Sequence, residues 1–239
     1  MSRSATNDDG VSIVIPIGDN QASIIGSRCQ EDTPPLINLG TGGQISIILS
    51  KKDISRIENV NIRPFIDGKN LLVGVTQCGG YAYTLLKRFF EKTADMLGIE
   101  PPPDLFARME SAAARIDPLD CIQANTTFLG TYSDPAKRAE YFNISENNFT
   151  PGHLTYATLH GISKELFDIY HNYLEVYIDK KPTKIIGAGN CIRSTPLIKK
   201  IIENIFSLPL HINPQKEEAV YGAALLALSK MNPSTDRLI

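Results

Sequence analysis

Four cysteines in 239 residues, none of them in a CxxC, leave the chain without a zinc-ligand or dithiol pattern. Cys29, Cys78, Cys121 and Cys191 stand far apart, the usage expected of unpaired thiols in a reducing cytosol. The four histidines, His153, His160, His171 and His211, share no metal-ligand spacing, so surface or capping roles are expected for them. An excess of one charge is also missing: 24 Lys and Arg against 26 Asp and Glu leave a net charge of −2. That balance excludes a chain built mainly to bind nucleic acid or an anionic membrane. No apolar run approaches a membrane span, and the polar start, residues 1–10, lacks a signal-peptide core. The expectation is a cytoplasmic chain with a disordered tail over 1–10, a folded unit over 11–230 and a flexible tail over 231–239. What is present is an ordinary globular composition, 42% hydrophobic and 21% charged, at a length that allows a substantial core.

Two stretches near the start carry the chemistry. In the first, the apolar run Val11–Ile17 reads as a buried strand, followed by Gly18-Asp19-Asn20-Gln21-Ala22 and a helix. In the second, Leu36–Leu39 reads as a short strand leading into Gly40-Thr41-Gly42-Gly43, a tight turn poor in side chains. Such turns let backbone N–H groups approach an anion, because glycine reaches φ > 0 without steric cost. A carboxylate and a Gly-Thr turn meeting at one end of a sheet suggest phosphate chemistry beside an acid/base residue. Each stretch also has a plainer reading, since an Asp after a strand is often a helix N-cap and a Gly-rich turn is often only a turn.

The rest of the chain supplies a frame in which the two can meet. Gln44–Leu49 is expected to pair with Leu36–Leu39 through the glycine turn, and Lys51–Asn61 reads as loop. Pro64–Ile66 and Leu71–Val75 flank Asp67-Gly68-Lys69-Asn70, a hairpin signal. Tyr81, Leu85, Leu86, Phe89 and Phe90 give one apolar face to a helix running from Gly79 or Gly80 to Leu97, which Gly98 ends. Asp104 is placed to cap a helix over Leu105–Ile116, and Ile122–Phe128 reads as a short strand. A long helix is expected from Pro151 to about Tyr177. Then Lys184–Ile186, a helix over Pro196–Phe206, a strand over Leu210–Ile212 and a helix from Glu217 alternate as in a parallel α/β sheet. Ala219, Gly222, Ala223 and Ala224 offer the last helix a face for close packing. Ligands of such sheets bind at the carboxyl ends of strands. Asp19, Gly40–Gly43 and Gly187-Ala188-Gly189-Asn190 all fall there.

With these residues in place, the chain resembles the C-terminal half of the FGGY carbohydrate kinases. Gly18–Ala22 is similar to the family's G-D-x-Q-A block, and Gly40-Thr41-Gly42 to its phosphate turn. His153–Leu159 is similar to most of its second signature. Gly187–Asn190 and Ala219–Ala227 resemble its adenine-side turn and closing G-A-A helix. Within the family the likeness is nearest to the sedoheptulokinase branch, through Asn125–Gly130 and the Gly79-Gly80 helix start. Departures accompany it. No D-x-G-T/S hairpin precedes Gly10, Ser194 or Thr195 stands where an Asn is usual, and His160 replaces an acidic residue or Gln. The E-R-x-P-x-W-D-P stretch is reduced to Thr131–Pro135.

The resemblance implies an α/β domain of the actin/hexokinase/Hsp70-like, ribonuclease H type, with a mixed five-stranded sheet and helices on both faces. It implies Asp19 as catalytic base toward a sugar hydroxyl, a ketose such as sedoheptulose, with Asn20 and Gln21 beside the sugar. It implies ATP held by Gly40, Thr41, Gly42 and Gly43, by Gly79 and Gly80 at a helix start, and by Gly187, Ala188, Gly189 and Asn190. Mg²⁺ would bridge phosphate oxygens, with no dedicated protein metal ligands. The implied partners are the sugar and ATP, together with an N-terminal kinase half or a second copy of the chain. A nucleotide-binding module without catalysis remains the alternative.

Overall fold

The structure, a computed structural model, describes residues 5–6, 12–13, 16–27, 34–49, 57, 60–178 and 180–231. In chain order the elements are β1 (Ala5–Thr6), β2 (Ser12–Ile13), α1 (Asp19–Gly26), β3 (Leu36–Leu39), β4 (Gly43–Leu49) and β5 (Val60–Pro64). There follow β6 (Asn70–Thr76), α2 (Gly79–Met96), α3 (Leu105–Ala113), β7 (Gln123–Asn125), β8 (Glu140–Phe142) and α4 (Pro151–Ile169). The chain closes with β9 (Ile185–Ala188), α5 (Asn190–Ser194), α6 (Pro196–Phe206), β10 (Leu210–Ile212) and α7 (Glu218–Met231).

The main sheet has the order β10-β9-β3-β4-β6-β5. β3, β4, β6 and β5 are antiparallel neighbours, with Leu39 opposite Gly43 across the glycine turn and Gly43 opposite Thr76. β9 runs parallel to both β3 and β10, the arrangement that the alternation of strands and helices anticipates. The sheet has six strands rather than five. The edge strand β5 takes in Val60 and Asn61 from a stretch that reads as loop and ends where the hairpin strand is expected to begin. Pro64, which cannot donate to a ladder, closes it at the sheet margin.

Alternation sorts the strand side chains onto two covered faces. Ile37, Leu39, Ile45, Ile47 and Leu72 point into the larger core with α2, α3, α4 and α6. Leu36, Leu71, Val73 and Ala188 point the other way, onto Ile24 of α1. α7 lies on α1, and the two helices touch backbone to backbone. A Cβ on Gly222 would stand 1.8 Å from the Ala22 carbonyl oxygen, and one on Gly26 would stand 1.9 Å from that of Glu218.

Several local expectations change. Over Val11–Ile17 only Ser12–Ile13 is strand among the described residues, paired with Ala5–Thr6 apart from the main sheet. Pro16, without an N–H, is followed directly by the chain's entry into α1. The rest of the 1–10 tail and 232–239 lie outside the described residues. The hairpin strand ends at Pro64, and its turn holds Asp67 at φ 57°. Asp104 sits at the start of α3, but its carboxylate takes the Arg108 Nε–H at 2.9 Å instead of capping the helix. α3 stops at Ala113, short of Ile116, and the strand sought over Ile122–Phe128 is confined to β7. On α2 the buried positions are Gly79, Ala82, Tyr83 and Leu86, while Phe89 is 55% exposed. After Ile169, α4 passes into a π-helical turn, Tyr170–Leu174, and then a 3₁₀ turn. On α7 the packing face is Glu218, Gly222, Leu225 and Ser229, and Ala223 and Ala224 are exposed.

Candidate active site

The two chemistry-bearing stretches converge. Asp19 and Asn20 at the start of α1, Asn38 on β3, the turn Gly40–Gly43, Gln44 and Thr76 line one cavity of about 230 Å³. Asp19 is exposed at its mouth, and its Oδ1 accepts the Asn20 backbone N–H at 2.7 Å. Asn20 is turned inward, where its Nδ2–H donates to Gln44 Oε1 at 2.7 Å. Gln21 does not share the cavity; its amide reaches the Pro64 carbonyl at 3.5 Å.

The turn is fixed from below by the first turn of α2. Gly80 N–H donates to the Gly40 carbonyl at 2.9 Å and Tyr81 N–H to the Thr41 carbonyl at 3.0 Å. Gly79 and Gly80 make this approach feasible: a Cβ on Gly79 would stand 2.5 Å from the Gly42 carbonyl carbon, and one on Gly80 would stand 2.5 Å from the Gly40 oxygen. The Gly80 amide is therefore engaged by the turn, so the glycine pair supports the cradle from behind. A Cβ on Gly40, by contrast, would meet nothing within 4 Å. That side of the turn opens into space.

Gly40 and Thr41 also border a larger cavity of about 850 Å³, walled by α2, α3 and α5. Tyr81, Arg88, Phe106 and Glu110 come from the first two helices, and Asn190 and Cys191 from the third. Arg88 lies over the Tyr81 ring, 5.6 Å from its centroid. The Tyr83 hydroxyl donates to the Phe106 carbonyl at 3.2 Å, and burial raises its pKa, keeping it a neutral donor. Burial likewise pushes the Cys191 thiol up to about 11. Glu110 accepts the Leu197 N–H at 2.7 Å and so satisfies an open amide at the start of α6.

Of the predicted adenine-side turn, only Asn190 lines this cavity. Gly187 and Ala188 are buried strand residues, and a Cβ on Gly187 would press on Leu210 Cδ2 at 2.6 Å. Gly189 aims the chain: φ is 88°, and a Cβ there would stand 2.5 Å from the Leu39 carbonyl oxygen. Sequence reasoning missed Tyr81, Arg88, Phe106 and Glu110, which read there as ordinary helix faces. Asn38 and Gln44 had a signal, flanking the turn directly.

This fold recurs in solved structures. Gluconate kinase from Lactobacillus acidophilus superposes with a TM-score of 0.81 at 18% identity, over 97% of this chain and 46% of its own. The chain has the fold of an FGGY-type sugar-kinase half. Plasmodium falciparum glycerol kinase with ADP matches the chain at a TM-score of 0.71 and 18% identity, over 96% of the chain and 46% of its own. By sequence the chain is 24% identical to sedoheptulokinase from Mus musculus over 229 residues, covering 92% of the chain and 47% of that protein. It thus spans about half the length of the relatives it matches, which fits the C-terminal-half placement. No protein-family model matches it. Among the described residues no helix is long and apolar enough to cross a membrane.

The residues present suit a nucleotide phosphate with its cation. Two buried oxygens in the smaller cavity, Asn20 Oδ1 and Thr76 Oγ1, have no hydrogen-bond partner among the described residues. Buried polar atoms are rarely left so. An unmatched acceptor and an unmatched hydroxyl beside a carboxylate suit cation-bound water on one side and a phosphate oxygen on the other. No cluster of three His, Cys, Asp or Glu that could hold a metal is present among the described residues.

Proposed function

We propose that this chain supplies the base-bearing and nucleotide-binding half of an ATP-dependent sugar kinase. The observation that carries the proposal is the shared cavity of Asp19 and Gly40–Gly43, bordered through Gly40 and Thr41 by the larger cavity. In this reading the larger cavity takes the nucleoside, with Tyr81, Arg88 and Asn190 on its walls. Thr41 and the amides of Gly42 and Gly43 hold the terminal phosphates. Asp19 accepts the proton of a sugar hydroxyl while that oxygen forms its bond to the γ-phosphorus and the bond to the β-phosphate oxygen breaks, releasing ADP. Mg²⁺, when bound, neutralises phosphate charge beside Asp19, Asn20 and Thr76. Transfer of this kind depends mainly on positioning and charge stabilisation, and a fixed turn supported by α2 serves both. The substrate class is a ketose, with sedoheptulose the first candidate from the likeness to the mouse enzyme.

A second reading is a nucleotide-binding module without catalysis, which Asn20 Oδ1 and Thr76 Oγ1, without hydrogen-bond partners among the described residues, would serve equally well. Both readings require nucleotide at the turn. Titration of the full chain with Mg-ATP should therefore give saturable binding, weakened at least about tenfold by Gly42→Val, which crowds the cradle. Equal affinity in the variant and the wild type would overturn both readings.

A further inference from the structure

A separate cavity of about 490 Å³ opens beyond β6, between α4 and the β7–β8 hairpin. It meets the Asp19 cavity only at Val75, and none of Asp19, Thr41 or Asn190 lines it. Its walls are held in place. Gly161 lets α4 press against β7, since a Cβ there would stand 2.5 Å from the Ala124 carbonyl oxygen. The Thr127 hydroxyl donates to Asn125 Oδ1 at 3.0 Å or to the Arg138 carbonyl at 3.2 Å, and Tyr141 and Thr158 hydroxyls lie 2.7 Å apart. On the facing side, the π-helical turn after α4 contributes Asn172 and Tyr173 to the wall. Such turns are rare and recur at functional sites. Two of the departures from the family pattern, His160 and the Thr131–Ser133 stretch, also line this cavity.

The chemistry of the wall is that of a hydroxyl binder. Glu165, on α4, accepts the Thr126 hydroxyl at 3.3 Å, and Gln77, Asn125 and Asn172 add amides. Tyr132, Phe142 and Tyr173 add ring surface. Carboxylate and amide groups match the paired hydroxyls of a sugar, and rings cover its C–H faces. Of the two lysines in the wall, Lys164 pairs with Asp168 at 2.5 Å, and the exposed Lys137 faces the Glu165 carboxyl by charge. A carboxylate in the wall also works against an anionic ligand. Burial raises the Glu165 carboxyl and lowers the His160 imidazole, which further reduces charge at the wall.

We propose that the α4/β7–β8 cavity is a second sugar site, binding an unphosphorylated monosaccharide through its hydroxyls, independent of Asp19. The test titrates the full chain with ribose, fructose and sedoheptulose by calorimetry and saturation-transfer NMR, with fructose 6-phosphate as the anionic control. Wild type should bind at least one of the three sugars saturably. Ser133→Trp, a plug at an exposed rim position, should abolish that binding, and Glu165→Gln should weaken it at least about tenfold. Asp19→Asn should leave it within about twofold, which separates this site from the phosphoryl-transfer reading. Circular dichroism checks that each variant is folded, and the exposed Ser133 keeps the test available if Glu165→Gln is not. Three results would each overturn the proposal: no saturable sugar binding, binding that Ser133→Trp leaves unchanged, or fructose 6-phosphate bound as tightly as fructose.

Discussion

The two glycines of the β9–α5 junction behave differently despite standing two residues apart. Gly189 is held at φ 88° against the Leu39 carbonyl, with backbone on the side a Cβ would occupy. Gly189→Ala should cost about 1–3 kcal/mol and should also lower Mg-ATP affinity, because Asn190 and Cys191 follow from it into the larger cavity. A Cβ on Gly187 would meet side chains rather than backbone, Leu210 Cδ2 at 2.6 Å and Ile192 Cγ2 at 3.3 Å. Gly187→Ala should cost less and leave affinity unchanged, as thermal unfolding and calorimetry would show. Cys191 gives a second check on this wall. With its thiol pushed to about 11 by burial, labelling at pH 8, followed by peptide mapping, should run roughly two orders of magnitude slower than for an ordinary exposed cysteine. Fast labelling of Cys191 would mean a more open wall. What the sequence marked at this scale was a set of short stretches that the structure brings to one cavity: Asp19, the Gly-Thr turn and its flanks. It did not show that Gly187 and Ala188 face into the sheet, because that depends on which strands lie beside them.

At the scale of elements, α1 and α7 are the pair whose contact is most demanding. Gly222 touches the backbone of Ala22, so a methyl group there must push the helices apart. Gly222→Ala should destabilise by about 2–3 kcal/mol and lower the melting temperature by roughly 5–10 °C. A shift under a degree would show that the helices separate freely. Arg193 is the comparable tie beside α5: it binds the Glu218 carboxylate and the carbonyls of Asn213 and Gln215, joining α5 to the start of α7. Arg193→Ala leaves the mostly buried Glu218 carboxylate unpaired and should cost about 3 kcal/mol in urea unfolding, with Arg193→Ala/Glu218→Gln recovering part of it. Helix and strand identities were largely legible from periodicity. The small-residue face on α7 was only partly so. Gly222 packs, yet Ala223 and Ala224 point outward, since the 3.6-residue period gives the contact to Glu218, Leu225 and Ser229 instead.

At the scale of the molecule, the sheet is an antiparallel block, β3-β4-β6-β5, with two parallel strands added along β3. The parallel second half was readable from the alternation of elements. The start of the edge strand β5 was not, because Val60 and Asn61 take strand form through pairing with β6 and not through their own pattern. The site's larger cavity was also hidden, since it forms where α2, α3 and α5 meet and no one segment carries it. Asp19 and the glycine turn come together at the end of this block, and that juxtaposition is what the functional account rests on. The most direct test is sugar-dependent ADP release by the full chain with Mg-ATP and sedoheptulose, supplemented with a separately expressed N-terminal kinase half, in wild type and in Asp19→Asn. The account predicts release in the wild type, a loss of at least about a hundredfold in Asp19→Asn, and Mg-ATP affinity nearly unchanged between them. Release that persists in Asp19→Asn, or a loss of turnover matched by an equal loss of Mg-ATP binding, would contradict it.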